Sequence, residues 1–414
     1  MNYNKEIQAI LRAFAGALHT GKPSAYANMI VLPVMEPAYD LDYISSDEGF
    51  ERGCLTIKEV SESGSVPRLS AVNQCGQHVL LAEGEEIKGA KQNRTLNTSI
   101  LLPADKETVI PVSCTERGRW SYRKKDFSPT DSWVPAELRR KKIFHVTKNL
   151  IGKDSYRSNQ SAVWHTIDNY SERLGTRSRT SALRDVLGSA GKRIERMTEA
   201  FPLGKGQTGV VVFINGRLTG ADIITNPRVF ARLYPKILKS YVVDAVLKGG
   251  DKSGGLLDLH TEVRYRAGEA RKKFSVMLEL ALTGRLFVAK SPGLGRDVRM
   301  ESTQVSGFAL EVDGRVVHMN LFRNDNDEET ERHGRDEAQY RRDWESFDAE
   351  TRRAERERLK KRWERLRGEK TEEERKREDE LWKLLDELNK KNRGEDRQED
   401  GGCGQDNGNG PEEE

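Results

Sequence analysis

Residues 83–120, EGEEIKGAKQNRTLNTSILLPADKETVIPVSCTERGRW, hold the densest set of chemically able side chains in the sequence. Glu83, Glu85 and Glu86 stand beside Lys88 and Lys91, and Gln92, Asn93, Arg94 and Asn97 follow; Ser113, Cys114, Glu116, Arg119 and Trp120 close the stretch. These types suit a polar, planar, phosphorylated ligand. Arg94 or Arg119 can fork onto phosphate, Gln92, Asn93 and Asn97 can read a ribose or base edge, and Trp120 can stack. Glu85 and Glu116 are the acid/base candidates, one raised in pKa by burial or by the other. Cys114, near Arg117 and Arg119, is a candidate thiolate. The plainer alternative is a network of loop-capping side chains and ion pairs at strand ends, because such groups are costly to bury unpaired.

Two apolar stretches must position this cluster. Residues 98–102 and 108–114 flank the turn PADKET and read as a hairpin, which would carry both polar groups to one end of a sheet. Strand patterns at 27–34, 66–73 and 78–87, and a short helix leading into a strand at GFERGCLTIKEV, make the N-terminal half β-rich. An amphipathic helix precedes them, with Ile7, Leu11, Phe14 and Leu18 at helical spacing. Helical periodicity follows at 160–174, 179–200 and 227–247, where Pro235 is expected to kink or split the last. Asn215-Gly216 and Asp313-Gly314 each join two apolar runs and predict two hairpins. Residues 251–300 read as polar loop alternating with apolar strand. The order favours an α+β fold, with a body over 1–323 and a sub-boundary near 150–158.

The 414 residues carry a formal net charge of +4, which hides a split near residue 324. From Asp325 onward there are 22 basic and 31 acidic residues in 90, which leaves a net of +13 on the preceding part. The body can therefore attract a polyanion. Residues 324–393 read as a charged helical extension, with one helix around Tyr340, Trp344 and Phe347 and a second opened by a Thr371/Glu374 capping box. It is suited to a coiled-coil contact, self-association or recruitment of a protein partner. Residues 394–414 have the composition of a disordered end. No apolar run is long enough to span a membrane, and a cytoplasmic location is expected. Four cysteines without CxxC spacing argue against a disulfide framework or structural zinc. The GxGxxG spacing of Gly204, Gly206 and Gly209 follows a helix and precedes a strand, the reverse of a dinucleotide fingerprint. GSAGKR fails the P-loop pattern at Val186 and Arg193, and seven scattered histidines form no metal motif.

The run Glu83-Gly84-Glu85-Glu86, Gly89 through Arg94, Asn97, Val112-Ser113-Cys114, Glu116 and Gly118-Arg119-Trp120 resembles the ARPP domain family, the ADP-ribosylglycohydrolase and rhodanese-phosphatase superfamily associated proteins. LTIKEV, VPRLSAVNQ, QSAVWHTIDNY, GQTG and SYVVDAVL extend the resemblance over roughly residues 5–250. It implies a place in NAD or ADP-ribose metabolism and supplies no reaction. It singles out Glu83, Glu85, Gly89, Gln92, Asn93, Arg94, Cys114, Glu116, Arg119 and Trp120. The expectation is a protein that binds, and by acid/base catalysis hydrolyses, ADP-ribose or a related nucleotide, with Mg2+ held by carboxylates if phosphate is the target. The alternative is a non-catalytic interaction protein whose basic body meets nucleic acid or a modified partner.

Overall fold

In the run VVVFI of the strand Gln207–Ile214, Val210, Val212 and Ile214 join one apolar core while Val211 and Phe213 join another. Successive strand side chains point to opposite faces, so an uninterrupted apolar run marks a sheet covered on both sides. The computed structural model describes residues 3–35, 41–61, 65, 67–119, 126–176, 178–249 and 267–324. They belong to one compact unit. The predicted helices of the extension lie outside the described residues.

The covered sheet has nine strands. Its path runs His19–Thr20, Met29–Met35, Gln207–Ile214, Arg217–Ile224, Arg315–Arg323, Val305–Val312, Arg296–Glu301 and Arg285–Lys290, and Ser24–Tyr26 pairs with Met29–Met35. All its pairings are antiparallel. Both predicted hairpins are present, and they lie side by side through Ala221↔Leu321. Asn215, Gly216, Asp313 and Gly314 all take positive φ, as a two-residue hairpin turn demands. On one face pack the helices Ala136–Lys153, Gly191–Glu199 and Pro227–Gly249; on the other, Tyr3–Ala17 and Ala267–Thr283. Ile7, Leu11 and Phe14 of the first helix are buried, as its spacing requires.

Two smaller sheets share a third core. One is Ile100–Leu102, His78–Leu81 and Tyr43–Ser45; the other is Phe127–Trp133, Glu85–Gly89, Arg94–Leu96, Lys106–Cys114, Arg68–Asn73 and Leu55–Glu59. The α+β class stands, with a β-rich first half and helices and hairpins after it.

Several local expectations are corrected. Ile100–Leu102 and Lys106–Cys114 do not pair with each other: the first pairs with His78–Leu81, the second with Arg68–Asn73 and Arg94–Leu96. The turn between them is real, but each flank finds a better-matched partner elsewhere. Residues 179–200 form two helices, Leu183–Gly188 and Gly191–Glu199, rather than one. Pro235 lies inside a single helix, Pro227–Gly249, without ending it. Residues 267–283, expected as loop and strand, are a helix, and so are residues 136–153, for which no helix was expected. Cys54 and Cys75 form a disulfide, with Cα atoms 4.9 Å apart, because Leu55–Glu59 and Arg68–Asn73 pair in a register that brings the two flanking loops together. No described helix is long and apolar enough to cross a membrane.

Candidate functional site

Pairing of Val112–Cys114 with Leu96–Arg94 does what the hairpin was expected to do, and carries residues 92–97 and 113–119 to one end of the six-stranded sheet. The turn after Cys114 is then pinned. Leu183 donates its N–H to Thr115 O, and the N–H groups of Arg117 and Gly118 both reach Thr180 O, at 3.1 and 2.9 Å. A Cβ at Gly118 would lie 2.9 Å from Thr180 Cα, so the contact requires glycine.

Around this turn six of the expected residues meet. Arg119 donates to Glu116 Oε2 through Nε and Nη2, at 3.0 and 2.7 Å, and to the Ala90 carbonyl at 2.7 Å. Its Nη2 also reaches Asn93 Oδ1, and the Asn93 N–H donates to Glu116 Oε2. Arg94 donates to Gln92 Oε1 and to Cys114 Sγ, both at 2.8 Å, and faces Glu59 at 4.0 Å. Asn97 belongs to the same end of the sheet, bonded to Ser113 Oγ and the Tyr156 carbonyl. Trp120 lies outside the described residues.

Two expected residues go elsewhere. Glu85 accepts from Ser46 Oγ and the Ala82 N–H. Glu83 joins a separate buried network, accepting from Arg139 Nε at 2.9 Å and Lys142 Nζ at 3.2 Å. Arg139 continues to Asp222, which also accepts from Tyr241 Oη and Asn320 Nδ2. Burial draws the Lys142 ammonium down to about 8, with Glu83 opposing it.

The electrostatics sort the carboxylates. Burial, then the charge of Asp47, raises Glu85 to about 7. Burial raises Glu86 to about 7 as well, with Glu116 adding to it while a 2.7 Å hydrogen bond from Thr115 and the charge of Arg184 oppose. For Glu116 burial also pushes upward, but the hydrogen bonds and charge of Arg119 outweigh it and leave the group below its ordinary value. Glu86 and Glu116 therefore feel each other and titrate apart, so the carboxylate beside Glu116 is Glu86, not Glu85. Its signal was in the sequence, as the third acid of the run, but alternation sends Glu85 and Glu86 to opposite faces of their strand.

Three readings of single residues change. Cys114 is buried and burial pushes its thiol up against the charge and hydrogen bond of Arg94; of the two expected cations, Arg117 pairs with Asp168 and Arg119 with Glu116. Arg94 and Arg119 are buried and their forks engage protein groups. Two cations with exposed side chains adjoin the cluster: Arg117, next to Glu116 in the chain, and Arg184, whose charge acts on Glu86. Arg184 pairs with Asp131 at 3.1 Å, with side chains 40% and 69% exposed, the kind of pair that contributes little. Its Nη1 is buried without a hydrogen-bond partner. Among the described residues no group of three or more His, Cys, Asp or Glu is arranged to hold a metal ion.

Fold and site together define an α+β protein built on a two-faced antiparallel sheet, with a carboxylate–arginine cluster at the end of a smaller one. The chain belongs to the family of the ARG and Rhodanese-Phosphatase-superfamily-associated Protein domain, whose sequence model matches residues 17–322, nearly three quarters of its length. No curated protein and no solved structure matches it.

Proposed function

We propose that this protein binds ADP-ribose or a related NAD-derived nucleotide at the Glu86–Glu116 cluster and hydrolyses it. The observation that carries this reading is the pair of neighbouring carboxyls displaced in opposite directions. Two such groups divide the roles of acid and base. Glu86, protonated near neutrality, gives its proton to the leaving oxygen. Glu116, ionised, takes a proton from the attacking water, whose oxygen forms the new bond at the cleaved centre. Arg184 and Arg117 hold the diphosphate, exchanging weak surface pairs for it. Arg94, Arg119, Gln92 and Asn93 fix the turn that carries Glu116. The family description, with its link to ADP-ribosylglycohydrolases, supports the ligand class.

The test is a thermal-shift and turnover panel of ADP-ribose, NAD, AMP, ATP and a short RNA, each with and without Mg2+. ADP-ribose is expected to raise the melting temperature, and Arg117→Ala with Arg184→Ala to abolish the shift. Glu86→Gln is expected to keep binding and lower turnover at least 100-fold, within the usual span for a general acid. Binding and turnover indifferent to Glu86→Gln and Glu116→Gln would overturn the assignment. Stabilisation by RNA alone, lost with salt, would favour the interaction-protein alternative.

A further inference from the structure

Between the helix Ala267–Thr283, the start of the strand Arg217–Ile224 and the end of Arg315–Arg323 lies a groove of about 450 Å3. Its floor is apolar, built from Leu218, Met277, Leu280 and Val276, the last of them 50% exposed. Its rim carries Arg217, Lys272, Lys273 and Arg323 against one carboxylate, Glu269, which Lys273 already holds at 3.3 Å. Among the described residues Arg217, Lys272 and Arg323 have no carboxylate partner. An apolar floor under a cationic rim selects an occupant with an apolar face and acidic flanks, and an amphipathic helix laid into a groove has that form.

Charge and position single out one segment of this chain. Arg323, on the rim, ends the last strand, and the sequence runs on for 90 residues after Asn324. Residues 340–367 carry 11 basic and 7 acidic side chains, so a cationic rim repels them. Residues 371–389, TEEERKREDELWKLLDELN, carry 8 acidic and 4 basic ones. There Leu381, Trp382, Leu385 and Leu388 fall at helical spacing, which predicts one apolar face between acidic flanks. A chain that offers both a groove and a segment to fill it can associate reciprocally. Two copies that exchange segments bury both grooves at once and close as a two-fold pair.

We propose that residues 371–389 of a second copy dock into this groove, with Leu381, Trp382 and Leu385 on its apolar floor and acidic side chains on Arg217, Lys272 and Arg323. The groove shares no residue with the Glu86–Glu116 cluster, and the inference does not depend on the function assigned there.

Sedimentation of the full chain over a wide range of concentration tests it. A monomer in equilibrium with a dimer is expected, and salt should weaken the dimer. Lys272→Glu with Arg323→Glu reverses the rim, and Val276→Asp places a charge on the floor at an exposed position. Each is expected to weaken the dimer about tenfold or more while circular dichroism stays unchanged. Leu381→Ala with Trp382→Ala and Leu385→Ala should do the same from the other side of the contact. Mixing the Lys272/Arg323 variant with the Leu381/Trp382/Leu385 variant should restore association, since the first still offers a segment and the second a groove. A chain that stays monomeric at every concentration would overturn the proposal. So would a dimer indifferent to both groove variants, which would place the contact between the extensions alone.

Discussion

Arg139 forks onto Asp222, Nη2 to Oδ1 at 2.6 Å and Nη1 to Oδ2 at 3.0 Å, with both side chains fully buried. Its remaining donor, Nε, goes to Glu83 at 2.9 Å. One guanidinium therefore ties a central strand of the large sheet to the acidic run that opens the candidate site. Lys142, one turn further along the same helix, supplies a second cation, so two carboxylates meet two cations in the interior. Burial opposes the charge on Asp222, but Arg139 outweighs it and holds the carboxyl far below its usual range.

Removing one partner from such a network leaves buried charge uncompensated. Arg139→Ala is expected to cost about 3–5 kcal/mol, measured by urea unfolding. Arg140→Ala, one position along and partly exposed, should cost far less. Near-equal losses in the two variants would show that the network contributes no more than a surface arginine does.

Gly84 couples the same network to the acidic run. Its φ is +91°, and a Cβ there would sit 2.6 Å from Arg139 Nε. Gly84→Ala therefore combines an unfavourable backbone conformation with displacement of the guanidinium. A loss of at least ~1–3 kcal/mol is expected from the backbone alone. Gly206→Ala, with φ +71° and a Cβ that would meet nothing within 4 Å, is the matched control. Equal stability of the two variants would remove the close approach from the account.

The parts of this structure that were readable in the sequence are those encoded by neighbours in the chain. Asn215-Gly216 and Asp313-Gly314 specify their turns because those residues accept positive φ at low cost. Ile7, Leu11 and Phe14 specify one helix face. The helix Ala136–Lys153 was hidden because its inward face holds Arg139 and Lys142 among Leu138, Ile143 and Val146, which blurs the apolar period. In Ala267–Thr283 the buried Ala270, Phe274, Met277 and Ala281 keep helical spacing, but the exposed Val276 fills in the polar side. Strand partners are a different matter. The turn after Leu102 is local, whereas the preference of Ile100–Leu102 for His78–Leu81 depends on a whole layer. That residues 92–97 and 113–119 come together was legible in the segment, and which of its acids joins them was not. Whether Glu85 or Glu86 faces Glu116 follows from register, which a single sequence leaves open.

The cysteines provide a chemical check. Reduction of the denatured chain should raise its count of free thiols by two, and an unreduced digest should join the peptides of Cys54 and Cys75. With the two cysteines 21 positions apart, the bond is expected to contribute about 3 kcal/mol by restricting the unfolded chain. Such bonds persist in oxidising compartments, so pairing in the protein recovered from cells would argue against the cytoplasmic location expected from the sequence. A thiol count unchanged by reduction would show that the pair does not form.

The buried acids of the site also set how stability varies with pH. Glu85 and Glu86 both reach about 7 in the folded chain, where burial is the leading cause, against roughly 4.3 for an unfolded glutamate. Between those values the folded chain holds protons that the unfolded chain has released, so stability falls as pH rises and levels off above about 7. Asp244, raised to about 7 by burial and by Glu137, adds to the same slope. Glu116, Glu137 and Asp222 are lowered instead. Their contribution is complete above the unfolded value and is lost only as pH falls through their folded values, so it does not mask the slope. Urea midpoints at pH 5, 6, 7 and 8 should therefore decline. Glu86→Gln should flatten the decline, and Glu85→Gln with Glu86→Gln should flatten it further. A midpoint that rises from pH 5 to pH 8 would mean that these carboxyls are ionised in the folded protein, and Glu86 could not then supply the proton that hydrolysis needs.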